Sequence, residues 1–284
     1  MSANEIVLKE EIAPQTYRYV VRHPKIARKR RAGQFVILRV HEGGERVPLT
    51  IVDSDPEAGT VTLIFQAVGH STRELAELEV GDQVLDLAGP LGQPTHIENF
   101  GTACVIGGGY GTAPVLPIAV ALREAGNELL GIVGARTREL VILEEELQAL
   151  CSRLEVATDD GSYGHHGFVT DVLQKLLDEG QKIDFVLAIG PAPMMRAVSD
   201  LTRQHGIKTM VSLNPLMVDG TGMCGGCRVE VGGETKFACV DGPEFDGHLV
   251  NFDLLMKRQA TYKPQETEAC QLESHCRLSE HLRH

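Results

Sequence analysis

The chain has 284 residues, of which 43% are hydrophobic and 23% charged, so we expect a globular protein of two or three domains with substantial buried cores. The formal net charge of −12 argues against a general nucleic-acid-binding protein, and the N-terminus lacks the apolar core of a signal peptide. Seven cysteines without an export signal favour a cytoplasmic protein that uses thiols for metal or redox chemistry over a disulfide framework.

The first hundred residues predict a small antiparallel β-barrel. Short apolar segments bounded by Gly, Pro, Asp or Ser are interpreted as strands at residues 33–40, 46–53, 60–68 and 82–92. Residues 71–81, between the last two, are expected to form a short helix or a loop. Several short strands at this spacing are typical of a barrel, which we assign to residues 1–98.

From about residue 100 the pattern changes to strands that alternate with helices. Strand-like segments begin near residues 102, 128, 153 and 184, and helix-like segments span residues 113–126, 139–152 and 168–180. This alternation predicts a parallel sheet with helices on both faces, which we assign to residues 99–213. The longest apolar tract, residues 103–122, contains four glycines and two prolines and does not predict a membrane span.

Three loops of this predicted sheet suggest a dinucleotide site. The sequence "VIGGGYGTAP" (105–114) follows a strand and opens a helix, an arrangement that lets the backbone approach a pyrophosphate. The sequences "TDDGSYG" (158–164) and "GPAPMM" (190–195) follow two other strands, and ligands of parallel sheets bind at such strand ends. The candidate residues are Gly107, Gly108, Gly109, Tyr110, Gly111, Thr112, Arg136, Asp159, Asp160, Gly190, Pro191 and Met194.

Two strand ends of the predicted barrel suggest a flavin site. The sequences "RVPLT" (46–50) and "QAVGHST" (66–72) offer a cation, hydroxyls and backbone amides, which suit the phosphates and the isoalloxazine edge of a flavin. Ordinary strand ends that expose polar side chains would give the same pattern, so periodicity leaves both interpretations open. The candidate residues are Arg46, Pro48, Leu49, Thr50, Gln66, Val68, Gly69, Ser71 and Thr72.

The sequence "DGTGMCGGC" (219–227) predicts a metal centre. Asp219, Cys224, Cys227 and Cys239 follow the spacing of plant-type [2Fe–2S] ligands, with aspartate in place of the first cysteine. Zinc also favours Cys-x2-Cys pairs and accepts carboxylate ligands, so the aspartate alone does not identify the metal. The register and the density of glycines favour iron–sulfur. The segment 228–240 predicts a hairpin that returns Cys239 to the loop, and we assign residues 214–262 to a small cluster domain.

The remaining residues, 263–284, are polar and predict a loosely held tail. Its Cys270 and Cys276, with three histidines, match no metal-site spacing. We therefore expect a solvated or partner-contacting segment, and truncation after Lys263 is expected to leave the iron content unchanged.

A barrel, a dinucleotide fold and a cysteine loop in this order resemble the ferredoxin–NADP reductase superfamily. Over residues 5–262 the similarity is to the branch of electron-transfer subunits related to dihydroorotate dehydrogenase B. Within that branch, "RVPLTIVD", "GGGYGTAP", "GARTRELVIL", "TDDGSYG" and "MVDGTGMCGGCRVEVGGETKFACVDGPEFDGH" most resemble the small subunits of NADH-dependent reduced ferredoxin:NADP oxidoreductases. These are electron-bifurcating transhydrogenases, also called sulfide dehydrogenases.

The resemblance implies a multidomain β plus α/β protein with three cofactors. FAD would lie on the antiparallel barrel, NAD(H) on the Rossmann-like domain, and a [2Fe–2S] cluster on Asp219, Cys224, Cys227 and Cys239 of the C-terminal domain. Hydride would pass between nicotinamide and flavin, and single electrons through the cluster, without a catalytic acid or base. The implied partner is a large flavin and [4Fe–4S] subunit that binds NADP(H) and uses ferredoxin.

Three alternatives remain open at this point. One is the electron-transfer subunit of dihydroorotate dehydrogenase B, which a cysteine in place of Asp219 would favour. Another is a sulfhydrogenase gamma-type subunit. The third, from a different class, is a zinc-stabilised binding module without a redox role.

The chain departs from the superfamily in places that bear on its sites. The flavin motif Arg-x-Tyr-Ser/Thr would place arginine at position 47 and an aromatic residue at 49, whereas this chain has Val47 and Leu49 after Arg46. Thr50 matches the motif, and the role of Arg46 is left open. Ile189 replaces the cysteine that many relatives have before Gly-Pro.

The sequence after the second strand of the parallel sheet leaves the nicotinamide cofactor undecided. The segment "GARTR" lacks the acid that would bind a ribose 2′-hydroxyl. Arg136 or Arg138 would suit a 2′-phosphate, so the expectation of NAD rests on the resemblance.

Overall fold

The N-terminal part of the chain forms an antiparallel barrel. The computed structural model describes residues 3–265 and 267–268. Its barrel strands are β1 (Ile6–Ala13), β2 (Thr16–Arg22), β3 (Phe35–Arg39), β4 (Val47–Asp55), β5 (Thr60–Gln66) and β6 (Asp86–Leu91), with helices α1 (Pro24–Ala27) and α2 (His70–Glu77). The order is β1-β2-β5-β4-β3-β6. Ile6 closes the barrel, because its amide donates to the Asp82 carbonyl (2.8 Å) and its carbonyl accepts from the Gly81 amide (2.8 Å).

Alternation of apolar side chains fills the barrel. Val61, Leu63 and Phe65 of β5 point inward together with Tyr19 and Val21 of β2, and all five are buried. The predicted strands are confirmed, and residues 71–81, expected to form a short helix or a loop, contain most of α2. Strands β1 and β2 were not among the predicted elements.

A seven-stranded sheet follows the barrel. Its strands are β7 (Thr102–Gly108), β8 (Glu128–Ala135), β9 (Arg153–Thr158), β10 (His165–His166), β11 (Phe185–Ile189), β12 (Lys208–Ser212) and β15 (Glu244–Asp246). The order is β10-β9-β8-β7-β11-β12-β15, and all pairs are parallel except the antiparallel β12–β15 pair. The predicted parallel sheet is therefore confirmed, with one added antiparallel edge strand.

Helices cover both faces of this sheet, as predicted. They are α3 (Thr112–Glu124), α4 (Glu144–Leu150), α5 (Val169–Asp178) and α6 (Ala192–Gln204). Apolar side chains of α3 and α4, such as Ile118 and Leu147, pack on one face. Those of α5 and α6, such as Leu173 and Met195, pack on the other. Among the described residues, no helix is both long and apolar enough to cross a membrane.

The prediction of a helix over residues 139–152 was wrong in its first part. Helix α4 begins only at Glu144, because residues 138–140 form a separate short 3-10 turn and Leu143 has a left-handed φ of 57°. Ile142 and Leu143 pack instead on Val52 and Ile64 of the barrel. Contact between domains thus overrides the helical preference of this segment.

The C-terminal region carries a hairpin and a helix. Strands β13 (Arg228–Val231) and β14 (Glu234–Phe237) pair in antiparallel register on either side of Gly232 and Gly233, which confirms the predicted hairpin, and α7 (Phe252–Gln259) packs beside them. Val229 and Leu255 belong to the same buried core as Val211 of the large sheet. Cys270 and Cys276 lie outside the described residues.

Candidate cofactor and cluster site

One cavity of about 950 Å³ lies between the barrel and the parallel sheet. Its size falls in the range typical of sites for small molecules and cofactors. It brings together predicted residues of both cofactor groups: Pro48, Thr50, Gln66, Gly108, Gly109, Tyr110, Gly111, Arg136, Asp159, Gly190, Pro191 and Met194. The flavin site and the dinucleotide site, which were predicted separately from the sequence, therefore lie in the same cavity.

The glycine-rich turn after β7 combines close packing with an open position. A Cβ atom on Gly107 would lie 2.6 Å from the Cα of Thr112, and one on Gly111 would lie 2.2 Å from the Ile189 carbonyl oxygen. Gly109, with a φ of +56°, has nothing within 4 Å of its hypothetical Cβ. The turn is thus held tightly at its ends and open to the cavity at its centre.

Helix α3 begins at Thr112, directly after this turn. Its N-terminal amides carry partial positive charge, which suits a pyrophosphate. Thr112 is fully buried, and among the described residues its hydroxyl has no hydrogen-bond partner. Thr112 lies beside the turn but does not itself line the cavity.

Arg136 and Asp159 follow adjacent strands and both line the cavity. Asp160 is turned to its own loop, where its carboxylate accepts hydrogen bonds from the amide (2.9 Å) and hydroxyl (2.6 Å) of Ser162. These bonds hold the pKa of Asp160 below its usual range. Arg138 lies over the ring of Tyr163, 5.0 Å from its centre. Of the two arginines considered for a 2′-phosphate, Arg136 is the one at the cavity.

Several of the predicted flavin residues do not line the cavity. Leu49 is buried in the barrel core, because its neighbours Pro48 and Thr50 point the opposite way on β4. Val68 is exposed. Residues 69–72 form the start of α2, where the Thr72 hydroxyl accepts from the Gly69 amide (3.1 Å) and the Ser71 hydroxyl donates to Glu45 (2.5 Å).

Arg46 also lies away from the cavity wall. Its Nε donates to the Val218 carbonyl at 2.7 Å, and its Nη2 is 3.5 Å from the Asp219 carbonyl oxygen. The side chain therefore reaches from the barrel to the loop of the predicted cluster ligands. Sequence reasoning also missed Met217 and Pro243, which line the cavity from the C-terminal region.

The hairpin brings the predicted thiol ligands together. Cys227 and Cys239 are 1% and 2% exposed, and their Sγ atoms lie 3.2 Å apart. Cys224 is exposed, and its Sγ accepts from the Gly226 amide at 3.4 Å. The Asp219 carboxylate accepts from the amide (2.9 Å) and hydroxyl (2.5 Å) of Thr221 and from the Met223 amide (3.2 Å).

Local hydrogen bonds and burial set the protonation of these groups. Bonds from Thr221 and Met223, with the nearby Arg46 charge, lower the pKa of Asp219, and the Gly226 amide lowers the pKa of Cys224. Burial and the adjacent Cys227 thiol raise the pKa of Cys239 to about 12. Metal binding would release the protons of the buried thiols.

The loop that carries the predicted ligands packs closely on the barrel. Gly220 has a φ of +81°, and a Cβ there would lie 2.7 Å from Ile37 and 2.8 Å from Leu91, so the loop lies tightly on the barrel. Its thiols are the soft ligands that iron–sulfur clusters use. Within the described part of the chain, no three His, Cys, Asp or Glu side chains are grouped so as to hold one metal ion.

Two family models match these regions. The iron–sulfur cluster binding domain of dihydroorotate dehydrogenase B matches residues 214–251, and an oxidoreductase NAD-binding domain matches residues 105–200. A dihydroorotate dehydrogenase B (NAD⁺) electron transfer subunit homolog from Thermotoga maritima is 48% identical over 263 residues, covering 93% of each chain. The chain belongs to the family of dihydroorotate dehydrogenase B electron-transfer subunits. The predicted family, the NAD-binding domain and the oxidoreductase class are thereby confirmed.

Other members and structures refine this assignment. The electron transfer subunit of dihydroorotate dehydrogenase B from Geobacillus thermodenitrificans is 34% identical, covering 84% of this chain and 94% of that protein. A chain in a structure of NADH-dependent reduced ferredoxin-NADP oxidoreductase, studied for flavin-based electron bifurcation, is 46% identical with a TM-score of 0.91; the match covers 95% of this chain and 98% of that chain.

A more distant solved structure shows the fold alone. A ferredoxin NADP⁺ reductase from Neisseria gonorrhoeae, with bound FAD and NADP, has a TM-score of 0.58 at 18% identity, and the match covers 72% of this chain and 91% of that chain. The barrel and parallel sheet thus have the ferredoxin–NADP reductase fold, as predicted.

Proposed function

We propose that this family member is an FAD- and [2Fe–2S]-containing electron-transfer subunit. It would exchange electrons between NAD(H) and a large subunit that uses NADP(H) and ferredoxin. The observation that carries the proposal is the single cavity lined both by barrel strand ends and by the glycine turn of the NAD-binding domain. FAD held in this cavity would supply hydride exchange with nicotinamide, and a cluster held by the cysteine loop would supply single-electron exchange.

The chain's own residues position and enclose these reactants. Thr50 and Gln66 line the cavity from the barrel, and the turn of residues 108–111 lines it from the parallel sheet. Met194 packs against Gly108, where a Cβ would lie only 2.3 Å from its sulfur. This apolar contact leaves no room for a side chain at position 108.

The cluster loop adjoins the same cavity. Met217 is buried, lines the cavity and lies two residues before Asp219. We therefore propose Asp219, Cys224, Cys227 and Cys239 as cluster ligands in a region that adjoins the cavity through Met217. Met217 belongs to the same buried core as Cys227 and Cys239.

The exposed side of the loop supports docking of a partner protein. Around the exposed Cys224, the apolar side chains of Met223, Leu216 and Val218 are 87%, 50% and 44% exposed. Exposed apolar side chains grouped at one site are typical of interaction surfaces. We propose as the partner the large flavin and [4Fe–4S] subunit that the sequence resemblance implies, and the cytoplasm as the compartment; the similarity to a chain of the bifurcating oxidoreductase supports this choice of branch.

Spectroscopy and partner identification test this function. Freshly purified holoprotein should show flavin and iron–sulfur absorption, release FAD on acid extraction, and contain about two iron and two sulfide per flavin. Affinity purification with mass spectrometry should recover an NADP(H)-binding flavoprotein. FMN, or zinc without acid-labile sulfide, would contradict the cofactor assignment.

A role in dihydroorotate oxidation is the second candidate, because several relatives are named for that enzyme. Recovery of a dihydroorotate-oxidising subunit in the same purification would favour it. Asp219 at the first ligand position favours the bifurcating assignment, since the resemblance associates this aspartate with that branch.

A further inference from the structure

Arg46 occupies a junction between the barrel and the cluster loop. It directly precedes β4, the strand that presents Pro48 and Thr50 to the cavity. Its side chain leaves this strand in another direction and donates to the Val218 carbonyl at 2.7 Å, with a weaker approach to the Asp219 carbonyl at 3.5 Å. Arg46 thus contacts the backbone at Val218 and Asp219, and Asp219 is the first proposed ligand.

The same part of the loop is held to the barrel by packing. Gly220, the next residue after Asp219, lies so close to Ile37 and Leu91 that a Cβ would meet them at 2.7 and 2.8 Å. Ile37 and Leu91 belong to barrel strands β3 and β6. The position of Asp219 is therefore fixed relative to the barrel by one charged contact and one apolar contact.

A second arginine holds the far end of the loop. Arg258 of α7 donates from Nη2 to the Gly226 carbonyl at 3.0 Å, between Cys224 and Cys227. Its contact comes from the C-terminal helix, whereas that of Arg46 comes from the barrel strand. Arg46 is thus the guanidinium that joins the loop to β4.

We propose that Arg46 is a positioning residue for the cluster and not a flavin ligand: it ties the ligand loop to the flavin-binding strand and, by its fixed positive charge, raises the reduction potential of the cluster. A guanidinium stays protonated in proteins, so this charge is permanent. A cation beside a cluster stabilises the added electron, and outer contacts of this kind tune potentials. The inference rests on the proposed function, because it requires the cluster.

The test compares holoproteins in which position 46 is changed. Arg46→Gln removes the charge and one donor group, and Arg28→Gln removes an exposed barrel arginine as a control for net charge. The readouts are the cluster potential from a titration followed by electron paramagnetic resonance, and the FAD content per chain. We expect Arg46→Gln to shift the cluster potential downward with FAD content unchanged, and Arg28→Gln to shift neither.

Two results would overturn the inference: an unchanged cluster potential and resonance signal, or loss of FAD with an unchanged cluster. If Arg46→Gln does not accumulate as holoprotein, Arg46→Lys decides, because it keeps the positive charge but cannot reproduce the guanidinium contacts. An altered resonance signal with normal FAD content and a potential close to that of the wild type then supports the inference, and an unaltered signal or a loss of FAD contradicts it. Wild-type protein without acid-labile sulfide would instead contradict the proposed function itself.

Discussion

Asp219 combines a structural and a proposed ligand role in one carboxylate. Its Oδ2 accepts three hydrogen bonds from its own loop. Asparagine preserves an acceptor for these bonds but lacks the negative charge, whereas cysteine supplies a thiolate at the same spacing. The two replacements therefore separate loop shaping from metal binding.

We predict that Asp219→Cys keeps a [2Fe–2S] cluster with a shifted resonance signal and potential, because ligand type is one determinant of both. Asp219→Asn and Asp219→Ala should lose iron or hold it weakly. Iron and sulfide analysis checks this, with Asp241→Ala as the matched control, since Asp241 also shapes this region by accepting from the Phe237 amide. Wild-type iron content and spectrum in the asparagine variant would leave Asp219 only a loop-shaping role.

Gly109 is the open position of the glycine turn, so a side chain there would enter the cavity. We predict that Gly109→Val abolishes NADH-dependent flavin reduction while FAD stays bound, because the valine occupies the approach of the pyrophosphate. Gly43→Val is the control: Gly43 has a similarly positive φ of +82° and open surroundings, but lies on an exposed barrel turn. Stopped-flow reduction by NADH measures the difference, and unchanged kinetics would remove the dinucleotide from this turn.

At the scale of elements, helix α2 is anchored by one buried hydroxyl. The Tyr19 hydroxyl lies 2.9 Å from the Leu75 carbonyl and 2.8 Å from the Leu78 carbonyl, at the C-terminal end of the helix. We predict that Tyr19→Phe lowers the free energy of unfolding by about 0.5–1.5 kcal/mol, since it removes the hydroxyl that lies within hydrogen-bond distance of the Leu75 and Leu78 carbonyls. Urea unfolding checks this against Tyr17→Phe, which removes the hydroxyl of the neighbouring, partly buried ring. Equal effects of the two changes would mean that α2 is held by apolar packing alone.

Elements with strong local signals could be predicted, and those shaped by contacts between domains could not. Strand β5 buries Val61, Leu63 and Phe65 at every second position, and its prediction is confirmed. Strand β1 buries only Ile6 fully, so its sequence carries little alternation. The start of α4 depends on Leu143, whose left-handed backbone follows from packing on the barrel. The local sequence around Leu143 does not reveal this contact with the barrel.

At the scale of the whole molecule, Glu244 sits where all three regions meet. Its carboxylate accepts from the Thr95 hydroxyl at 2.7 Å, and a Cβ on Gly33 of the barrel would lie 2.7 Å from it. Burial raises the pKa of Glu244 from 4.5 to about 7. Between pH 4.5 and about pH 7 the folded chain therefore keeps a proton on Glu244 that the unfolded chain loses. The contribution of Glu244 to the free energy of unfolding falls as the pH rises through this range.

We predict that Glu244→Gln is more stable than the wild type at pH 8, by about 1–3 kcal/mol, because the neutral amide avoids the cost of a buried charge. The advantage should shrink at pH 5, where Glu244 is mostly protonated in the folded chain. Thermal unfolding midpoints at both pH values measure it, with the exposed Glu57→Gln as the control. A pH-independent difference would show that Glu244 does not titrate in this range.

The shared cavity is likewise a property of the whole molecule. Sequence patterns identified Thr50 and Gly109 separately, through a strand end and a strand-to-helix turn. Their placement across one cavity depends on how the barrel packs on the sheet. Met217 and Pro243 carried no local signal of a site, because they are ordinary apolar residues until the fold brings them to its wall. The contact of Arg46 with Val218 joins residues far apart in sequence in the same way.

Strand β15 determines how the chain can be divided. It lies beyond residue 213, where the sequence predicted the end of the nucleotide domain, yet it pairs with β12 through residues 210–212. A fragment of residues 99–213 would leave the backbone groups of β12 open at the sheet edge. Such an edge recruits strands from other molecules, so that fragment is expected to aggregate. A fragment that continues through β15 and α7 keeps the edge covered, which makes it the better unit for recombinant dissection or fusion.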